Sequence, residues 1–195
     1  MTNLLARLRA LLTNASPMPT DERTIRGLRV VVENARPDIS TATVLQRLDD
    51  ALGLIETYQP WRFRHLRRDI QGIWIVRYPC RGAYFPQTRT CMTELTVLAR
   101  TDITAAPVAS SILHEGMHAR IHAMGVRPSS LDSAREERIC RRAELDFGRA
   151  LPPGLGAPVI ARAEESLAMS DIEVAPDIDW REARSRQDEI DRSSP

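Results

Sequence analysis

The alternation of apolar and polar positions divides the chain into a helical first part, a short β-rich middle and a helical remainder. In "MTNLLARLRALLTNASP", Leu4, Leu5, Leu8, Leu11 and Leu12 share one face of a short amphipathic helix, which with its linker accounts for residues 1–20. From Asp21 to Ala35, Ile25, Leu28, Val31, Val32 and Ala35 recur at helical spacing, and Arg36-Pro37 ends the run. A second helix is expected from Ser40 to Tyr58, with a stripe of Val44, Leu45, Leu48, Leu52 and Ile55 broken by Pro60. Residues 21–70 therefore read as a helical region.

The pattern then changes period. "IWIVRY" (Ile73 to Tyr78) and "TELTVLA" (Thr93 to Ala99) are β-branched and aromatic, and a Pro- and Gly-containing loop joins them. They predict two neighbouring strands in a small antiparallel sheet. Three helices follow: Thr104 to Met124, with Thr104 as cap and Gly125 as stop, then Ser130 to Leu151, then Pro158 to Met169. Residues 171–195 form a polar tail, in which Trp180 can anchor a last turn before a disordered end. The order of elements predicts a single α+β domain over 1–195, mostly helical.

Composition adds exclusions. The chain has 195 residues, 43% hydrophobic and 27% charged, enough for an ordinary globular core. Its formal net charge of +1 gives no global field toward nucleic acid or a membrane surface. Every basic residue is arginine, so lysine chemistry is excluded. Cys80, Cys91 and Cys140 form no C-x-x-C pair and leave an odd thiol, which points to a reducing compartment and a cytoplasmic location. Arg7 and Arg9 interrupt the N-terminal apolar run, against a signal peptide, and no run is long enough to span a membrane.

The chemistry concentrates in "SSILHEGMHARIH", Ser110 to His122. Residues four apart on a helix stack on one face, so His114 and His118 can meet on one ion, at about 2.0–2.1 Å from each Nε2. Glu115 is rotated by about 100° from His114, so it flanks the ion and can take a proton from water there. This is the mechanical content of H-E-x-x-H. Leu113, Met117, Ile121 and Met124 form one apolar sector, and Val108, Ile112, Ala119 and Ala123 another. The polar arc between them must line an internal site, because buried polar groups need partners. His122, one turn further on, belongs to the rim of the pocket.

A catalytic zinc site needs a third protein ligand and one open position. The next helix supplies Asp132, Glu136, Glu137, Glu144 and Asp146, with Glu137 and Glu144 at the edge of its inward face and Glu136 nearer the centre. Cys140 sits between Glu137 and Glu144, as a ligand, a nucleophile or a small buried hydrophobe.

His114-Glu115-x-x-His118, eighteen residues and Glu137 resemble the HExxH-x18-E arrangement of gluzincin zinc metallopeptidases. "HEGMHARIH" also resembles the ImmA/IrrE-type metallopeptidases. E-x-x-C-x-R-x-E-L on the second helix is similar to a group of uncharacterised bacterial metallopeptidase-like proteins. The resemblance covers roughly Thr93 to Pro153. It implies a zincin-like core over residues 71–170, with the sheet packed on the HExxH helix and a following antiparallel helix. It implies Zn2+ held by His114, His118 and Glu137, with Glu115 as general base for hydrolysis of a peptide or protein substrate. In the ImmA-like proteins the third ligand tends to lie further downstream, which favours Glu144; no helix-turn-helix partner domain accompanies the motif here. Glu144 or Arg141 could hold a ligand in place, and Tyr84, His122 or Arg141 could donate to a developing oxyanion. By analogy with zincin-like folds, Thr93 to Ala99 would offer an edge to an extended peptide.

Two other classes compete. A zinc-stabilised binding or regulatory protein would keep the ligands and cut nothing, although it would have no need of Glu115. The "WRFRHLRRD" stretch, Trp61 to Asp69, interleaves aromatics with arginines as nucleic-acid binders do. The near-neutral charge of the chain favours a solvated helix face instead.

Overall fold

The computed structural model describes residues 20–126 and 133–193. The expected helix over 1–20 lies outside them, apart from Thr20. The chain is α+β, mostly helical, with one five-stranded mixed sheet. Strands β1 (Thr20–Ile25) and β2 (Leu28–Glu33) form a hairpin. Helices α1 (Thr41–Tyr58) and α2 (Pro60–Asp69) follow, then β3 (Gly72–Val76), β4 (Gly82–Phe85) and β5 (Thr90–Glu94). A short helix α3 (Leu95–Ala99) leads into α4 (Ala105–Ala123), α5 (Ser133–Ala150), α6 (Pro153–Ala168), α7 (Asp171–Val174) and α8 (Trp180–Ser193).

The helix expected over residues 21–35 is instead the β1–β2 hairpin. Its apolar residues fit a 3.6-residue period by coincidence, whereas Leu28 and Val30 to Val32 are all buried, as in an internal strand. Three consecutive β-branched valines suit a strand better than a helix. Arg26 and Gly27, at φ 47° and 77°, make the tight turn that a helix would forbid. Gly27 has a further constraint, since a Cβ there would lie 2.7 Å from Arg67 Nη2.

The sheet order is β1-β2-β3-β5-β4. It is not the antiparallel sheet expected: β2 pairs with β3, and β3 with β5, in parallel. Only the two edge strands, β1 and β4, run antiparallel to their neighbours. The loop between the two predicted strands holds β4, so those strands are parallel neighbours and the connecting segment folds to the edge. The strand expected from Thr93 to Ala99 ends at Glu94. There the Glu94 carboxylate accepts from the Val97 N–H (3.0 Å) and turns the chain into α3.

Val30, Val32, Ile73, Ile75 and Cys91 face the helices and join a core with Leu48, Leu52, Ile112 and Phe147. Val31, Trp74, Val76 and Met92 face the other side. Helix α4 runs through the centre, packed against α1, α2, α5, α6, β4 and β5. Thr104 caps it by accepting from the Ala106 N–H. That central position explains why so much of its circumference is apolar.

The C-terminal tail carries two helices, α7 and α8, joined by an irregular stretch over residues 175–179, and Asp179 accepts from the Arg181 and Glu182 N–H groups to start α8. The arginine-rich stretch forms α2, with Arg62 turned inward and Arg64, Arg67 and Arg68 on the exposed face. Arg62 is buried and reaches Asp146 on α5 (3.3 Å), and Arg68 pairs with Asp69 (2.8 Å). Among the described residues no helix is long and apolar enough to cross a membrane.

Helices α5 and α6 touch backbone to backbone, since a Cβ on Gly156 would lie 2.2 Å from the Gly148 carbonyl oxygen. Neither partner is a flexible side chain, so Gly156→Ala must push the helices apart. A loss of about 1–3 kcal/mol in unfolding free energy is expected from urea denaturation.

Candidate metal centre

The motif residues of α4 and the acidic face of α5 meet at one point. The Nε2 atoms of His114 and His118 approach to 3.2 Å. Glu137 closes the triangle: its two carboxylate oxygens lie 3.2 Å from His114 Nε2 and 3.1 Å from His118 Nε2. Three donors around one tetrahedral zinc would be spaced by roughly 3.4 Å, given bonds of about 2.0–2.2 Å. The observed triangle fits such an ion.

The opposite nitrogens are tied as well. His114 Nδ1 donates to Glu144 (2.6 Å) and His118 Nδ1 donates to Glu136 (2.7 Å). These bonds fix each ring and leave its Nε2 pointing into the triangle. Glu144 also accepts from Ser110 Oγ (2.8 Å) and Arg141 Nη1 (2.6 Å). All three carboxylates weighed as third ligand are therefore present, with different partners. Only Glu137 faces both Nε2 atoms, while Glu136 and Glu144 each hold one ring from behind. Arg141 gives Nη1 to Glu144, holding that carboxylate, and also lines the cleft.

Glu115 is buried, at 8% exposure, beside β4. A Cβ on Gly82 would fall 2.8 Å from Glu115 Oε1 and 3.1 Å from Ser111 Oγ, so glycine is what lets the strand lie against this carboxylate. Burial raises the Glu115 pKa, and His114 and His118 partly offset the rise. Tyr84, also on β4, pairs through its hydroxyl with His122 Nδ1 (3.3 Å), placing both expected rim residues together.

These groups line a cleft of about 840 Å³. Its walls include β4 (Gly82, Ala83, Tyr84) and the stretch from the end of α7 to the start of α8, with Val174, Pro176, Ile178 and Trp180. That wall, Ser110 and the closeness of Gly82 had not been singled out from the sequence. Ser110 carries a readable signal, four residues before His114 on the same helix face. The wall carries none, because its place depends on how α8 docks.

Four carboxylates (Glu115, Glu136, Glu137 and Glu144) thus crowd two imidazoles and Arg141, an arrangement short of positive charge unless the imidazoles are protonated or a cation is bound. Burial alone would depress the His114 pKa, but hydrogen bonds to Glu137 and Glu144 outweigh it and lift it to about 10. His118 moves the same way: burial is overcome by Cys140, Glu136 and Glu137, and its pKa rises strongly. For Glu137 burial is overcome by the two histidines, and its pKa falls far below the usual carboxylate range.

No family model, curated protein or solved structure matches this chain.

The shifts set a pH profile for protein stripped of divalent cations. The raised His114 pKa contributes stability that is complete below its ordinary value of 6.5 and lost as pH rises through about 10. The lowered Glu137 pKa contributes stability present above 4.5 and lost as pH falls toward its depressed value. Chelator-treated protein is therefore expected to melt highest between these limits, with the melting temperature declining as pH is raised from 7 to 10. A profile rising over that interval in differential scanning fluorimetry would contradict the ion-paired cluster.

Proposed function

We propose that the chain is a zinc-dependent metallopeptidase with a zincin-like core. The observation that carries this reading is the triangle of His114 Nε2, His118 Nε2 and Glu137, with Glu115 beside it and an open strand edge along the same cleft. His114, His118 and Glu137 hold the ion, and Glu144 and Glu136 orient the two rings. A bound zinc ion supplies Lewis acidity, lowering the pKa of water toward 7 and polarising a carbonyl. Glu115 accepts a proton at its carboxylate as water attacks and passes it to the leaving amine. Its burial raises its basicity and thereby suits it to both halves of that transfer.

The substrate backbone has a place to bind. Glu94 N–H donates to the Arg81 carbonyl (3.0 Å), which fixes the phase of the β4–β5 ladder. By alternation, Gly82 and Tyr84 direct their N–H and C=O groups away from β5, toward the free edge. An extended peptide adding to that edge lies beside Glu115. The docking strand is thus β4, in place of the Thr93 to Ala99 segment that the sequence suggested. Tyr84 Oη and His122, paired on the cleft wall, would serve as donors to a developing oxyanion.

Metal analysis separates the three glutamates. Wild type purified without chelator is expected to hold about one zinc per chain, and Glu137→Ala to lose it. Glu136→Ala and Glu144→Ala should retain zinc with affinity weakened about 10–100-fold, since each removes a partner of a ligand. Metal-free wild type sinks the proposal.

Catalysis is tested by incubating a mixed peptide library with wild type and Glu115→Gln and reading the products by mass spectrometry. Glu115→Gln should keep the metal and cleave at least about 10²-fold more slowly. Equal cleavage by the two proteins would remove Glu115 as base.

A further inference from the structure

We infer that Cys140 is a fourth metal donor, joining His114, His118 and Glu137 in a closed resting state of the site. The inference rests on the metal site proposed above. Cys140 follows Glu137 by three residues on α5, so the two side chains are neighbours on one helix face. It is fully buried, and its Sγ lies within 4.8 Å of a ring nitrogen of both His114 and His118. A cysteine serving only as a small hydrophobe has no need to face two imidazoles among four carboxylates.

Thiolate is a good zinc ligand, and four protein donors are the number found in closed sites, whereas catalytic sites keep one position for water. On coordination the S–H bond breaks, a sulfur–metal bond forms and the proton leaves to solvent; no oxidant or reductant is involved. The closed state excludes water, and the open state in which Glu115 acts is the one from which Cys140 has withdrawn. A cysteine on the ligand helix thereby makes the chemistry conditional.

Cobalt(II) loaded into the full chain reads the donor set without any substrate. Wild type is expected to show visible ligand-field bands together with an intense near-ultraviolet thiolate-to-cobalt band. Cys140→Ser should keep the visible bands and lose the near-ultraviolet one, while Cys80→Ser keeps both; Cys140→Ala takes its place if Cys140→Ser does not fold. Acetohydroxamate should then shift the visible bands of the Cys140 variant at concentrations well below those that shift the bands of wild type. Visible bands without the charge-transfer band in wild type would overturn the inference and leave the metal site standing. Absence of any cobalt spectrum would overturn both. Persistence of the band in the Cys140 variants, or an equal hydroxamate response in wild type, also overturns the closed state.

Discussion

A chain of hydrogen bonds and ion pairs between carboxylate and imidazole, buried at Glu144 and His114 and part-buried at His118 and Glu136, ties two helices together. Glu144 holds His114, His114 and His118 face Glu137, and Glu136 holds His118. Every link crosses from α4 to α5, so the chain of bonds is also what fixes the spacing of those helices. Burying so many ionisable groups is costly unless each finds its partner. Here the partners come in alternation, one imidazole between two carboxylates, so positive charge is needed there, from protonated imidazoles or from a bound cation.

The fold serves this arrangement by burying α4 on nearly all sides. Packing against α1, α2 and the sheet fixes its rotation, so His114 and His118 point at α5 and Glu115 points at β4. The contact of Gly148 with Gly156 brings α6 close against α5 one turn beyond Glu144. Rigid backing of this kind lets three donors keep a triangle of about 3 Å sides.

The helix bearing the motif was legible because its signals agree: a capping threonine, a stop at Gly125, and polar residues confined to one arc. The helix from Ser40 to Tyr58 was legible for the same reason, and Ser40 does accept from the Thr43 N–H. The hairpin of β1 and β2 was not, because Ile25, Leu28, Val31 and Val32 satisfy two periods at once and only the valine run and the Arg26-Gly27 turn decide between them. The sheet's parallel pairings were hidden for a different reason. Strand neighbours separated by α1 and α2 leave no local mark, and β4 is too short and too polar at its flanks to stand out. Within the site, the gathering of His114, His118 and three glutamates could be anticipated from spacing. The assignment of each glutamate to Nε2 or Nδ1 could not, since one turn of α5 decides it.

The two walls of the cleft are built by different forces. The β4 wall is part of the sheet, and moves only if the core moves. The opposite wall, from Val174 to Trp180, continues into α8, which is held by the Trp180–Tyr78 ring contact (5.9 Å) and by polar contacts: Asp191 meets Arg77 (3.0 Å) and Arg36 (3.5 Å), and Arg184 meets the Tyr78 hydroxyl (3.3 Å). Partly exposed ion pairs weaken with ionic strength in a way that apolar packing does not. The cleft therefore has one wall held by the sheet and one held in part by ion pairs, so ionic strength acts on the second more than on the buried cluster of His114, Glu137 and Glu144.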